Sequence, residues 1–192
     1  MKILDLGCGE NKVTNSIGLD NVNLPDVDIV HDLMDFPYPI ENESIDKIYL
    51  RHVIEHFTNE KINSILYECS RILKKNGSLI ISVPHVFSIS AFTDPTHLSF
   101  FTFGTGRFWD KQSSKAYYKG LQMNWELIKT TCKVNWFDWK SYQMKKLNKY
   151  FSTIIEKRIN KALKSISNPS KADRIVKKLS FQLVEIVWAF KK

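Results

Sequence analysis

Two glycines, a run of acids and a scatter of histidines hold most of the chemistry this 192-residue sequence can offer. Near the start, Ile3-Leu4-Asp5-Leu6 leads straight into Gly7-Cys8-Gly9. A short apolar run ending in two glycines reads as a buried strand that delivers the backbone into a tight turn, where the lack of Cβ atoms admits a close-lying ligand. A second run, Ile17-Gly18-Leu19, ends in Asp20, and a third, Asp28-Ile29-Val30-His31, ends in Asp32. A glycine turn after one strand and an acid after the next suit a nucleoside, whose ribose hydroxyls donate to the acid. The spacing is not that of dinucleotide binding, because Gly9 is followed by Glu10-Asn11-Lys12 with no third glycine.

Further along, His52-Val53-Ile54-Glu55-His56 has the H-x-x-E-H spacing of an inverted zinc-protease motif. Such a site needs a long helix with both histidines on one face and a distant third ligand. Here the motif falls on a strand-to-helix turn, so no metal is expected. His85 and His97 lie in a long polar and aromatic segment, 85–106, after an apolar strand. A histidine titrating near neutrality can take a proton from an attacking hydroxyl. His97 is the first candidate base and His85 the second.

The elements that must position these groups follow from pattern. Strands are expected at about 2–6, 16–20, 28–32, 45–50 and 78–83. Phe36-Pro37-Tyr38-Pro39 is a rigid loop. A helix capped by Thr58 or Asn59 runs to about Lys75, with Ile62, Ile65, Leu66, Cys69, Ile72 and Leu73 on one face, and Asn76-Gly77 ends it. Only some ten residues separate the first two strands, so the helix between them must be very short. Beyond the loop, a helix at 107–119, a strand or hairpin at 121–134, a basic amphipathic helix at 142–166, a short helix at 171–179 and a last strand at 183–190 are expected. Strands alternating with helices imply a parallel α/β sheet.

Residues 1–85 resemble the class I S-adenosylmethionine-dependent methyltransferases, of the type 11-like domain. Asp5, Leu6, Gly7, Cys8 and Gly9 match the family's first motif, which wraps the methionine part of the donor. The resemblance implies that Asp20 binds the ribose diol and that Asp32 with Leu33 reads and covers the adenine. It places Ile45 through His56, with Arg51, at the turn that closes over the methionine. Arg71-Ile72-Leu73-Lys74-Lys75-Asn76-Gly77 is similar to the family's junction before its fifth strand, with Lys75 and Asn76 where proline and glycine are usual. Asp94-Pro95-Thr96-His97, followed by Phe100-Phe101-Thr102, resembles a loop of bacterial and archaeal members encoded with surface-glycan genes. The implied fold is a Rossmann-like α/β domain with a seven-stranded sheet over 1–192, shortened early crossovers and a basic helical insertion at 140–180. The family's N-terminal helical lid is missing, so cover for the donor must come from the loop after the fifth strand or from the C-terminal segment.

Charge is unevenly spread. Residues 1–100 carry 8 basic against 14 acidic residues, while 101–192 carry 20 against 6, and the chain as a whole is +8. The basic half suits an anionic partner. The acceptor expected is a sugar or other small molecule, including a lipid-linked one, methylated on oxygen or nitrogen, with 142–180 against anionic membrane. RNA methylation and a non-catalytic donor-binding scaffold are the competing readings. No apolar run is long enough to cross a bilayer, a strand begins too early to leave room for a secretory signal, and Cys8, Cys69 and Cys132 form no CxxC pair. A cytoplasmic protein, peripheral to the inner face of the membrane, is expected.

Overall fold

The structure, a computed structural model, describes residues 1–112, 124–136, 142–164, 169–177 and 182–192. Seven strands form one mixed sheet in the order β3-β2-β1-β4-β5-β7-β6. These are β1 Ile3–Leu6, β2 Ile17–Asp20, β3 Ile29–Val30, β4 Ile45–Arg51, β5 Leu73–Pro84, β6 Glu126–Trp136 and β7 Gln182–Lys191. The first five are parallel; β7 runs antiparallel to both β5 and β6. Leu4, Leu6, Leu19, Ile48, Leu50, Leu79 and Ile81 are fully buried along the central strands. Continuous apolar runs of this kind belong to strands covered on both faces.

Among the described residues no helix joins β1 to β2, β2 to β3 or β3 to β4. The short first helix expected from the spacing is replaced by a turn that lies directly on β2. Gly7 N–H donates to Leu19 O at 2.8 Å, and Lys12 Nζ reaches Asp28 Oδ2 at 2.9 Å. The packing is tight enough that a Cβ on Gly18 would stand 2.6 Å from Lys12 Cδ and 2.8 Å from Cys8 Sγ.

Helix α1, Asn59–Ile72, buries Ile62, Ile65, Leu66, Cys69 and Ile72, the apolar face read from the sequence. Thr58 holds the N-cap position but makes no side-chain cap bond. The helix stops three residues before Lys75, and Asn76-Gly77 does not end it. Pairing with β4 jumps from Leu73 to Ser78, and Asn76 adopts φ +66°, so these two residues form a bulge inside β5. Glu68 receives the Arg71 guanidinium and the Tyr38 N–H. Burial raises its pKa, but these donors outweigh it and hold the carboxyl below its ordinary value.

After β5 the chain makes the short helix α2, Ser90–Thr93, and a 3₁₀ turn at Thr105–Trp109; of the helix expected at 107–119, residues 113–119 lie outside the described residues. Helices α3, Tyr142–Lys164, and α4, Pro169–Lys177, precede β7, as the spacing predicts, although the break between them lies outside the described residues. Ile159, Ala172 and Val176 enter the same core as the strands. Helix α3 also serves β6, which is an edge strand. Asn160 Oδ1 accepts from Cys132 N–H at 2.9 Å while its amide donates to Cys132 O at 3.3 Å, and Glu156 Oε2 accepts from Val134 N–H at 3.3 Å. Side chains thereby occupy backbone groups that an open edge would offer to another chain. No helix of the described residues is long and apolar enough to cross a membrane.

Candidate functional site

A cleft of about 290 Å³ opens at the carboxyl ends of the parallel strands. Open α/β sheets bind their ligands at this edge. Gly7, Asp20, Asn21, Asp32, Leu33, His52, Val53, His56 and Phe57 line it. The volume falls just under the range for ligand pockets, about 300–1,000 Å³, in keeping with the absence of helices between the early strands among the described residues.

The strand ends place the lining. Gly7 and Gly9 adopt φ +66° and +52°, turning the backbone sharply at the end of β1. A Cβ on Gly9 would meet nothing within 4 Å, whereas one on Gly7 would strike Val53 Cγ2 at 2.5 Å. Gly9 therefore fronts open space, and Gly7 is small because the turn after β4 packs onto it. Asp20, at the end of β2, accepts Gly9 N–H through Oδ2 at 2.9 Å and Val22 N–H through Oδ1 at 3.1 Å. Each oxygen keeps acceptor capacity toward the cleft. Asp32 Oδ1 accepts Met34 N–H at 2.8 Å, and Leu33 beside it is buried. The lining thus sets two carboxylates apart with apolar Leu33, Val53 and Phe57 around them. That donor-seeking and apolar mixture fits a ligand with hydroxyl and amino donors on a flat ring.

Asp5, Leu6, Cys8 and Arg51 stand behind the cleft instead of lining it. Asp5 and Leu6 are wholly buried and Cys8 nearly so. Burial pushes the Cys8 thiol up, with Asp20 and Asp5 adding to the shift. Arg51, at the end of β4, is spent on Asp5: Nη2 lies 2.7 Å from Oδ2 and also donates to Asn11 O. Asp5 Oδ2 accepts Val13 N–H at 2.8 Å as well. The pair pins both ends of the Gly7–Val13 loop, so Arg51 positions the cradle.

His85, the second candidate base, is corrected by the structure. It has no exposed surface; its Nδ1 accepts Phe87 N–H at 3.1 Å and its Nε2 donates to Asp173 Oδ1 at 2.8 Å. Both nitrogens are occupied and none can take a proton from an acceptor. Its role is to tie the end of β5 to α4. His97 is half-buried on the loop after α2, with Nδ1 donating to Ala91 O at 3.0 Å and its ring edge against His56, centroids 4.8 Å apart. That loop is strapped to the turn after β4: Leu98 and Ser99 N–H donate to Glu55 O at 2.8 and 3.0 Å, and Ser99 Oγ to Phe57 O at 2.6 Å.

His52, Val53 and His56, which lie in the stretch expected to close over the methionine, line the cleft, and Phe57 just beyond it was not named from the sequence. His52 takes φ +56° at the end of β4, which aims the rest of the motif at the cleft. Glu185 and then Glu55 beside it push its pKa up to about 9.

Comparison with known proteins shows where this fold recurs. Residues 4–81 match the methyltransferase domain family. A SAM-dependent methyltransferase from Archaeoglobus fulgidus superposes with a TM-score of 0.56 at 18% identity, covering 100% of this chain and 86% of that one. The YcgJ protein from Bacillus subtilis superposes with a TM-score of 0.51 at 15% identity, covering 100% and 91%. No curated protein matches the chain by sequence. Residues 4–81 match the methyltransferase domain, and the chain as a whole has the α/β fold seen in S-adenosylmethionine-dependent methyltransferases of known structure.

Proposed function

We propose that the chain is an S-adenosylmethionine-dependent methyltransferase that acts on a hydroxyl of a glycan or other small molecule carrying an apolar portion, a lipid-linked sugar being the kind that fits. The observation that carries the reading is the exposed apolar surface beside His97. Phe87, Ile89, Phe92, Leu98 and Phe100 are 39, 40, 64, 59 and 46% exposed on the loop between β5 and the 3₁₀ turn at Thr105–Trp109. Phe92 and Phe100 stack on each other with centroids 5.0 Å apart. Contiguous exposed apolar surface of this kind marks a binding face. Lys177 lies 5.8 Å over the Phe87 ring, and Lys157, Arg158, Lys161, Lys164 and Arg174 are exposed on the same pair of helices. Basic side chains around apolar ones suit the headgroup region of an anionic membrane, at its cytoplasmic face.

In this reading Asp20 accepts the ribose hydroxyls, Asp32 the adenine amino group, and Leu33 covers the ring. The turn at Gly7-Cys8-Gly9 holds the methionine end, and Asp5 with Arg51 keeps that turn in place. S-adenosylmethionine supplies an electrophilic methyl carbon: the acceptor oxygen bonds to it as the C–S bond breaks, the electron pair returns to sulfur, and the hydroxyl proton departs. The chain's contribution is alignment, which brings acceptor oxygen and sulfonium in line. His97 Nε2 carries a free lone pair, because Nδ1–H is spent on Ala91, and can receive the hydroxyl proton.

Two measurements test the proposal. Asp20→Ala is expected to weaken S-adenosylmethionine binding about tenfold or more, since a charge-assisted bond worth about 1.5–3 kcal/mol is lost; calorimetry returning wild-type affinity overturns the ribose assignment. For the acceptor, methyl-labelled donor is incubated with the protein and with lipid-linked sugars, free sugars or RNA. Label is expected in the lipid extract, with binding to anionic vesicles lost on charge reversal of Lys157 and Lys161. Label in RNA alone, with an affinity that falls steeply with salt, defeats the proposal.

A further inference from the structure

We propose that Glu55, His56 and His97 bind one divalent transition-metal ion at the rim of the donor cleft. One ligand atom from each of the three lies within 4.8 Å of the others. Ligands held about 2.0–2.2 Å from an ion stand at most about 4.4 Å apart, so small side-chain movements close the set.

Three independent features point to an ion. The first is Glu55, which is 1% exposed with neither carboxylate oxygen receiving a hydrogen bond among the described residues. His52 Nδ1 pairs with Oε1 at 3.3 Å without hydrogen-bond alignment, and Oε2 has neither a hydrogen bond nor an ion-pair partner among the described residues. A buried carboxylate short of donors is costly, and a bound cation is the ordinary remedy.

The second is the state of the two imidazoles. His97 Nδ1 faces Ala91 O, which can only accept, so the proton sits on Nδ1 and Nε2 keeps its lone pair. His56 Nδ1 lies 2.8 Å from Thr96 Oγ1. That hydroxyl gives its own proton to Asp94 Oδ1 at 2.6 Å, so it must accept from His56. His56 therefore also carries its proton on Nδ1 and presents a bare Nε2. A metal-binding histidine is oriented in this way, its other N–H donated to a carbonyl or to a carboxylate-backed partner.

The third is placement. Glu55 and His56 sit on the 3₁₀ turn Ile54–His56 after β4, and His97 on the loop strapped to that turn. His56 also lines the cleft, so positions left open on the ion face the donor site. Two imidazoles and one carboxylate suit zinc, manganese or iron, and three protein ligands with open positions are the arrangement of a catalytic site. The ligand set differs from the H-x-x-E-H reading that the sequence made improbable. His52 is excluded, held between Glu55 and Glu185, and His97 arrives from a different loop.

The ion's role rests on the methyl-transfer reading above, and with the ion bound it takes the place of His97 as the means of deprotonating the acceptor, since the Nε2 lone pair is then on the metal. An acceptor hydroxyl at an open position would lose its proton more readily, because the cation stabilises the oxygen anion that attacks the methyl group.

The full chain is stripped with chelator and titrated with Zn²⁺ by calorimetry and with Co²⁺ by absorption. One equivalent per chain is expected, with charge-transfer-free d–d bands for Co²⁺. Affinity is expected to fall at least tenfold in His97→Ala and in Glu55→Gln, and about tenfold in Thr96→Val, which only releases the His56 tautomer. Asp20→Ala, which sits in the donor half of the cleft, is expected to bind the ion as the wild type does while losing the donor. Failure of the donor assignment is thereby told apart from failure of the metal site. A wild-type chain that takes up no stoichiometric Zn²⁺ or Co²⁺ overturns the proposal even if every variant misfolds. So does a folded His97→Ala chain that binds as tightly as wild type.

Discussion

Arg51→Ala is expected to destabilise the chain by about 3–5 kcal/mol, the range for stripping the partner from a buried ion pair. The Asp5 carboxylate has no exposed side-chain surface, and Arg51 supplies its only cationic contact among the described residues. With the guanidinium gone, Val13 N–H alone would serve a charge that water cannot reach. The Asn11 carbonyl would lose its donor too, so the loop that carries Gly9 would be released at one end. Arg51→Lys should recover only part of the loss, because one ammonium cannot span Asp5 and Asn11 as the fork does. Asp5→Asn combined with Arg51→Met should recover most of it, since the uncompensated charge disappears with its partner. Urea unfolding measures all three against the wild type. A loss below about 1 kcal/mol in the single variant would mean that water reaches Asp5 and that the pair does not hold the cradle. Donor affinity should fall in step with stability, as Arg51 acts on the loop.

This pair shows how far the sequence could be followed. Asp5 and Arg51 both lie at strand ends next to the glycine turn, so their neighbourhood was legible; that they face each other was not. A side chain at a strand end can turn either way, and the choice depends on whether the loop beyond leaves a charge to satisfy. Local features came through well for the same reason. The apolar runs of β1, β2 and β4, the face of α1 and the acids at Asp20 and Asp32 are set by neighbours within a few residues. Long-range partners did not come through. His85 looked poised for catalysis because Asp173, 88 residues away, is invisible from its surroundings in sequence. Asn76-Gly77 looked like a helix stop because a bulge opposite β4 has the same residues as a helix end. The antiparallel β5-β7-β6 edge could not be read at all, since no periodicity distinguishes it from more parallel strands. The Glu55-His56-His97 cluster was half visible. Its first two members stood in a recognisable motif, and its third was named for another task.

Gly7→Ala is expected to cost about 2–5 kcal/mol, and the companion Gly9→Ala about 1–2. Both residues have left-handed φ, at +66° and +52°, a conformation that costs an L-residue about 1–2 kcal/mol. Only at Gly7 is there a second term. Its added Cβ would lie 2.5 Å from Val53 Cγ2, nearer than atoms approach, so Val53 must be displaced from a buried position at about 1–3 kcal/mol. Val53 has little room to yield: it is 6% exposed, and it begins the turn that carries Glu55, His56 and Phe57 into the cleft. The strain would therefore spread to the donor site. Gly9 has open space where its Cβ would go, so its variant should fold nearly as well as wild type while donor affinity drops. Adding Val53→Ala to Gly7→Ala should give a double variant less destabilised than the sum of the two, because the clash is the shared part. Denaturant unfolding paired with donor titration separates these effects. Equal losses of stability at the two glycines would show that Gly7 is required for its φ alone, and the packing of the β4 turn onto the cradle would lose its support.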